Sequence, residues 1–247
     1  MANAAKDRFF VSIDVDTLDE AKRLMDSLVG IVSYVKFGLQ LATRESWIAG
    51  VEAAHERNFK VFCDSKFKDI PNTVEHAAYS MTQHRPEFFT VMADNSSEAL
   101  VGIRNGADRA AGELKVDAPK IIAVTVLTSI DADECMQIYG GDVQAKTKLF
   151  GTKAMQAGLD AIVCSPQEIE LFRSDEEFKN TLIITPGVRP SWAATNDQSR
   201  FASPGDAIKS GADMLVIGRP ITQPPAEVGS VRVAVKRIIE EIEEASL

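Results

Sequence analysis

The sequence predicts an α/β protein, a single-domain (β/α)8 barrel of the TIM type spanning residues 1–247. Three observations lead there. Short apolar runs rich in β-branched and aromatic residues alternate with longer stretches of helical period along the whole chain. Eight such runs in 247 residues allow about 31 residues per repeat, a natural length for one strand, one helix and two connections. The runs are continuously apolar, as in parallel strands covered by helices. An open doubly wound sheet is the other arrangement open to such units, and the count of eight favours closure.

In chain order, the first strand is expected at 9–13 (FFVSI), followed by a helical stretch over 18–28. A second strand at 33–37 (SYVKF) leads to a helix over 45–56, and a third at 60–63 (KVFC) to a helix over 73–83. The fourth, 88–92 (FFTVM), precedes a long helix over 98–114; the fifth, 121–126 (IIAVTV), precedes one over 146–156. Strands at 161–164 (AIVC), 182–185 (LIIT) and 214–217 (MLVI) complete the set, and a helix over 228–244 closes the chain. No low-complexity segment, Pro/Gly linker or break in composition marks a second domain.

The composition is that of an ordinary globular protein, 45% hydrophobic and 26% charged. The formal net charge is −9, which excludes a nucleic-acid polymer or an anionic membrane as partner, since either needs a dominant basic face. A small anionic substrate responds to local charge and stays open. Residues 1–8 hold no apolar signal-peptide core and no apolar run approaches a membrane span. Cys63, Cys135 and Cys164 are odd in number and far apart, which fits a reducing cytoplasm better than a disulfide framework or zinc cluster. Among the three histidines no pair has metal-ligand spacing, and no metal site is expected.

In a barrel, functional side chains gather just after the strands, at the carboxyl face. Asp14 follows FFVSI, Lys36 lies within YVKFG, and Asp64 and Lys66 follow VFC. Thr128 follows AVTVL, Arg189 follows LIITPGV and Arg219 follows LVIG. The densest cluster is DSKFKDIPNT at 64–73. In an extended strand end Asp64 and Lys66 face the same side. Asp69 precedes Pro71, where the chain turns into a helix that Asn72 or Thr73 can cap. Lys36 adds a second cation beside the pair. A Lys–Asp–Lys–Asp array fits a site that fixes lysine charge around a proton donor, and it equally fits a static salt-bridge network with a helix cap.

A second region, Gly187-Val188-Arg189-Pro190 and Gly218-Arg219-Pro220, follows the last two strands, where barrels often bind phosphate. Glycine lets backbone approach an oxyanion, and arginine offers a bidentate fork. The polar segment 191–203, with Asn196, Asp197 and Gln198, is long for a barrel connection and reads as a lid, the alternative being an ordinary surface loop. Other features read as structural: Met25, Met81, Met155 and the twelve phenylalanines as core, Cys63 as a buried thiol, His76 as a helix residue, and 240–244 as a solvated acidic face. Gly102 and Gly106 do not follow a strand, so no dinucleotide fingerprint is present.

Together these segments, FFVSID, VKFG, DSKFKDIPNT, AVTVLTS, TPGVRP and VIGRPIT, resemble the orotidine 5′-phosphate decarboxylase family over nearly the whole chain. The resemblance implies a (β/α)8 homodimer that uses no metal or organic cofactor. It implies a catalytic array of Lys36, Asp64, Lys66 and Asp69, with Lys66 as proton donor and Asp69 reaching into the partner subunit's site. Asp14 matches a ribose-binding position and Thr73 a partner-side ribose contact. Thr128 matches a position at the pyrimidine ring. Arg189, Gln198, Gly218 and Arg219 match phosphate and lid positions. The chain departs from the family's common pattern at Ser65 and Lys68, and again at 92–96 (MADNS), where a His-Ala-x-Gly-Gly stretch is usual. Metal-dependent sugar-phosphate decarboxylases and synthases with a D-x-K-x-x-D core are one rival; a nucleotide-binding barrel without catalysis is the other.

Overall fold

The structure is a computed structural model that describes residues 4–193 and 202–246. Eight strands, β1 (Phe9–Ser12), β2 (Tyr34–Phe37), β3 (Lys60–Phe67), β4 (Phe88–Met92), β5 (Lys120–Val124), β6 (Ala161–Val163), β7 (Leu182–Thr185) and β8 (Met214–Ile217), form a closed barrel in chain order. The parallel eight-stranded barrel expected from the alternation is what the chain adopts.

Between and after the strands run α1 (Leu18–Leu28), α2 (Leu39–Arg44), α3 (Trp47–His55), α4 (Pro71–Gln83), α5 (Ser97–Leu114), α6 (Ala132–Tyr139) and α7 (Val143–Gln156). They are followed by α8 (Ile169–Arg173), α9 (Pro204–Lys209), α10 (Arg219–Thr222) and α11 (Val231–Ala245). Caps account for where the boundaries depart from the pattern. The helix expected over 45–56 starts at Trp47, because the Ser46 side chain accepts from Ala49 N and caps α3; the short α2 ahead of it was not expected. Asp142 caps α7 from Ala145 N, and Ser230 caps α11 from Val233 N. The expected capping by Asn72 or Thr73 does not occur. Pro71, with its φ preset and its missing N–H harmless there, takes the first position of α4, and Ile70 stands at the cap.

By internal contacts the chain divides into two compact units, Met1–Asp64 with Ile184–Leu247, and Ser65–Ile183. In the first, β1 pairs with β8 through Phe10↔Val216 and with β2 through Val11↔Val35, while β2 pairs with β3 through Val35↔Val61. Phe9, Phe10, Phe37 and Phe62 are fully buried there, and the Phe10 and Phe62 rings meet edge to face at 4.9 Å. Burying each contributes about 2–3 kcal/mol against leaving it in water. α11 buries Ala234, Val235, Ile238 and Ile242 and leaves Glu240, Glu243 and Glu244 exposed, as the acidic run suggested.

In the second unit β4, β5 and β6 pair in parallel, through Val91↔Ala123 and Ala123↔Ile162. α4 packs on α5 closely enough that a Cβ on Gly106 would meet the Glu75 carbonyl oxygen at 2.2 Å. Close helix packing, not cofactor binding, is therefore what Gly106 serves. Cys63, Cys135 and Cys164 are buried and free of disulfides. Among the described residues no helix is long and apolar enough to cross a membrane.

Candidate active site

The strand registers of the first unit fix which side chains share a face. Ser12 lies opposite Lys36, and Lys36 opposite Phe62, so Asp64, two residues past Phe62, joins the same face. The side chains meet accordingly. Lys36 Nζ lies 3.3 Å from Asp64 Oδ2 and 3.7 Å from Asp14 Oδ1, and Ser12 Oγ donates to Asp14 Oδ2 at 2.7 Å. The Lys36 side chain is only 7% exposed and that of Asp64 17%, whereas Asp14 is about half exposed at 49%. A buried ammonium is expensive unless paired; Asp14, held by Ser12, and Asp64 pair it and fix its direction. Gly38, which the motifs did not single out, clears this pair: a Cβ there would lie 2.9 Å from Asp14 Oδ1 and 3.4 Å from Lys36 Nζ.

These groups line one part of a cavity of about 530 Å³, a volume typical of small-molecule sites. The rest of its wall comes from the turns after β7 and β8: Gly187, Val188 and Arg189, then Gly218, Arg219 and Gln223. Gly187 has φ 72°, a left-handed conformation that favours glycine. Arg189 N donates to Ala202 O at 3.1 Å beside a Val188↔Ala202 bridge, so the two ends of the 190s connection are tied together. Gln198 and most of the expected lid lie outside the described residues. One cavity thus joins a Lys–carboxylate cluster to glycine turns carrying arginines, as a ligand with a reactive head and an anionic tail requires.

The second unit begins within β3, which runs on to Phe67 instead of stopping at Cys63. Lys66 has φ 50°, so the expected two-residue alternation from Asp64 does not apply: the chain leaves the extended form at that residue. Its backbone N–H donates to Thr90 Oγ1 at 2.9 Å, and Ser65 Oγ donates to Thr90 O at 2.8 Å. Asp69 is exposed, and its Oδ1 accepts from Ile70 N at 2.7 Å ahead of α4; Thr73 is exposed in the first turn. Thr128 is exposed beyond β5.

Two residues here carried no signal in the motifs. Thr90, fully buried, anchors the end of β3, and Asn95, 3% exposed, bonds both that segment and β4. Lys68 and Asp94, both in stretches that depart from the family pattern, form an ion pair with each other, and Tyr139 OH donates to the same Asp94 oxygen at 3.5 Å. Burial, together with that carboxylate, pushes the Tyr139 phenol above its ordinary range. Among the described residues no group of three or more His, Cys, Asp or Glu side chains is placed to hold a metal ion.

A family model described as Orotidine 5′-phosphate decarboxylase / HUMPS family matches residues 7–233. A protein named orotidine 5′-phosphate decarboxylase from Heliobacterium modesticaldum is 39% identical over 244 residues, 97% of either chain. One of the same name from Rhodospirillum rubrum is 37% identical over 225 residues, 90% of either chain. Among solved structures, orotidine 5′-phosphate decarboxylase from Lactobacillus acidophilus superposes with a TM-score of 0.81 at 27% identity, covering 96% of this chain and 99% of its own.

Proposed function

The chain belongs to the orotidine 5′-phosphate decarboxylase / HUMPS family, and from that premise we propose that it converts orotidine 5′-monophosphate to UMP and CO2, the final step of de novo UMP synthesis. The observation that carries this reading is the cavity of the first unit, with a Lys36–Asp14–Asp64 cluster on one wall and Gly187, Arg189, Gly218 and Arg219 on another. Arginine and the glycine turns suit the 5′-phosphate. Asp14 and Lys36 suit the ribose hydroxyls, one accepting and one donating, while Thr128 is assigned to the pyrimidine ring and Gln198 to the phosphate and lid.

Loss of CO2 breaks the C6–carboxylate bond and leaves an electron pair on C6 that the ring delocalises poorly. Lys66 supplies the missing stabilisation as a fixed cation and then donates its proton to C6, regaining one from solvent. Lys36, Asp64 and Asp69 hold Lys66 charged and directed, completing the Lys–Asp–Lys–Asp array. No metal or organic cofactor enters this scheme. Residues 1–247 act as one catalytic domain and pair as a homodimer in the cytoplasm, with Asp69 and Thr73 serving the partner's site. Exposure of Asp69 and Thr73, next to an Ile70 that is 65% exposed, supports the last point.

Orotidine 5′-monophosphate mixed with the protein is expected to show a change in its pyrimidine ultraviolet absorbance as C6 loses its carboxylate, undiminished after dialysis against EDTA. No change at any protein concentration overturns the reading. Turnover of a sugar phosphate that EDTA abolishes, with none of orotidine 5′-monophosphate, turns it toward the metal-dependent sugar-phosphate enzymes.

Arg219→Ala removes one charge-assisted contact worth about 1.5–3 kcal/mol, so kcat/KM is expected to fall about 10- to 100-fold and UMP to bind more weakly by a similar factor. Steady-state kinetics with calorimetric titration of UMP check it, and unchanged UMP affinity removes Arg219 from the phosphate site.

A further inference from the structure

The segment 65–69 carries Lys66 at φ 50° and ends at Asp69. A non-glycine residue in the left-handed region costs about 1–2 kcal/mol and persists only where its surroundings over-determine it. The surroundings here are specific. Ser65 and Lys66 are bonded to Thr90, and the Phe67 ring packs on Phe89 with centroids 5.9 Å apart. Beyond that point one buried side chain takes over. Asn95 Nδ2 donates to Phe67 O at 2.9 Å and to Met92 O at 2.8 Å, while its Oδ1 accepts from Asp69 N at 3.3 Å. Only this orientation of the amide satisfies two carbonyls and one N–H at once. The clamp is itself held. Lys153 Nζ donates to Asn95 O at 2.6 Å, and the preceding residue, Asp94, is ion-paired to Lys68 of the same segment.

We propose that Asn95, backed by Lys153 and the Lys68–Asp94 pair, is a positioning residue for the reaction: it holds Phe67–Asp69 so that Lys66 and Asp69 keep a fixed spacing. The inference rests on the roles proposed above for those two residues. A misplacement of about 1 Å at a reacting group costs on the order of 10²-fold in rate. Neither Asn95 nor its partners contribute to the phosphate-side cavity of the first unit.

Asn95→Asp tests this with little change of shape, since a carboxylate oxygen then faces the two carbonyls and releases the clamp. The expected result is a fall in kcat of about 10²-fold. UMP is expected to bind with wild-type stoichiometry and an affinity within about threefold, a split that loss of folded protein does not produce. Lys68 is half exposed, so Lys68→Met preserves the fold and carries the test if Asn95→Asp does not accumulate. It is expected to lower kcat several-fold at unchanged UMP affinity. An active wild type with wild-type kcat in either variant overturns the inference and leaves the decarboxylase reading standing. A wild type inactive on orotidine 5′-monophosphate overturns both.

Discussion

Lys66→Ala is expected to lower kcat by about 10⁴-fold, the largest loss from any single substitution in the chain. One ammonium is asked to do two things in the scheme: to stabilise charge as it develops on C6, and to supply the proton that ends up there. A fixed electrostatic donor is typically worth about 10²–10³-fold and a placed general acid about 10²–10⁴-fold. The contributions do not multiply freely because the same group makes both, which is why the expectation stops near 10⁴. Substrate affinity is expected to change far less, since the contacts proposed for the phosphate come from the turns after β7 and β8.

Loss of the fold is separable from loss of chemistry at this position. Lys66 has φ 50°, and alanine keeps the Cβ that makes this conformation costly, whereas glycine does not. Lys66→Gly is therefore expected to be more stable than Lys66→Ala by up to about 1 kcal/mol, with both equally inactive. Urea unfolding measures the first difference and single-turnover kinetics the second. Residual turnover above about a hundredth of wild type in the alanine variant removes Lys66 as the proton donor.

The order and type of the strands were legible because each is a continuous apolar run, and β4, β7 and β8 begin and end where that run does. β3 was legible only as far as Cys63. Its last four residues, Asp64-Ser65-Lys66-Phe67, are mostly polar and lie beyond the apolar run; Thr90 on β4 keeps them on the sheet through bonds to Ser65 and Lys66, while Lys66 itself departs from the extended form. Lys36 could be picked out as a charge inside a strand, and its burial between Asp14 and Asp64 follows from register that the motif alone does not specify. Asn95 lies in the 92–96 stretch that departs from the family pattern, but its role could not be read there. It acts on backbone carbonyls and an N–H, groups every residue carries, so no sequence pattern marks its partners. The left-handed turn at Lys66 was equally hidden, since lysine is not a residue that advertises φ above zero.

Mixing two inactive variants decides how many chains build one site. If Asp69 serves the partner's Lys66, a dimer of one Lys66→Ala chain and one Asp69→Ala chain has one site lacking both groups and one site lacking neither. Random pairing makes about half of the dimers mixed, each with one intact site of two, so co-refolded protein is expected to recover about a quarter of wild-type activity. Both parents alone stay near background, Asp69→Ala through the loss of a group worth about 10²–10³-fold. The same experiment reads differently if Asp69 acts within its own chain: every mixed dimer then has two damaged sites, and the mixture is no more active than the average of its parents. The exposed stretch Asp69-Ile70, with Ile70 65% exposed beside a carboxylate already turned toward its own backbone, is the physical reason to expect the first outcome.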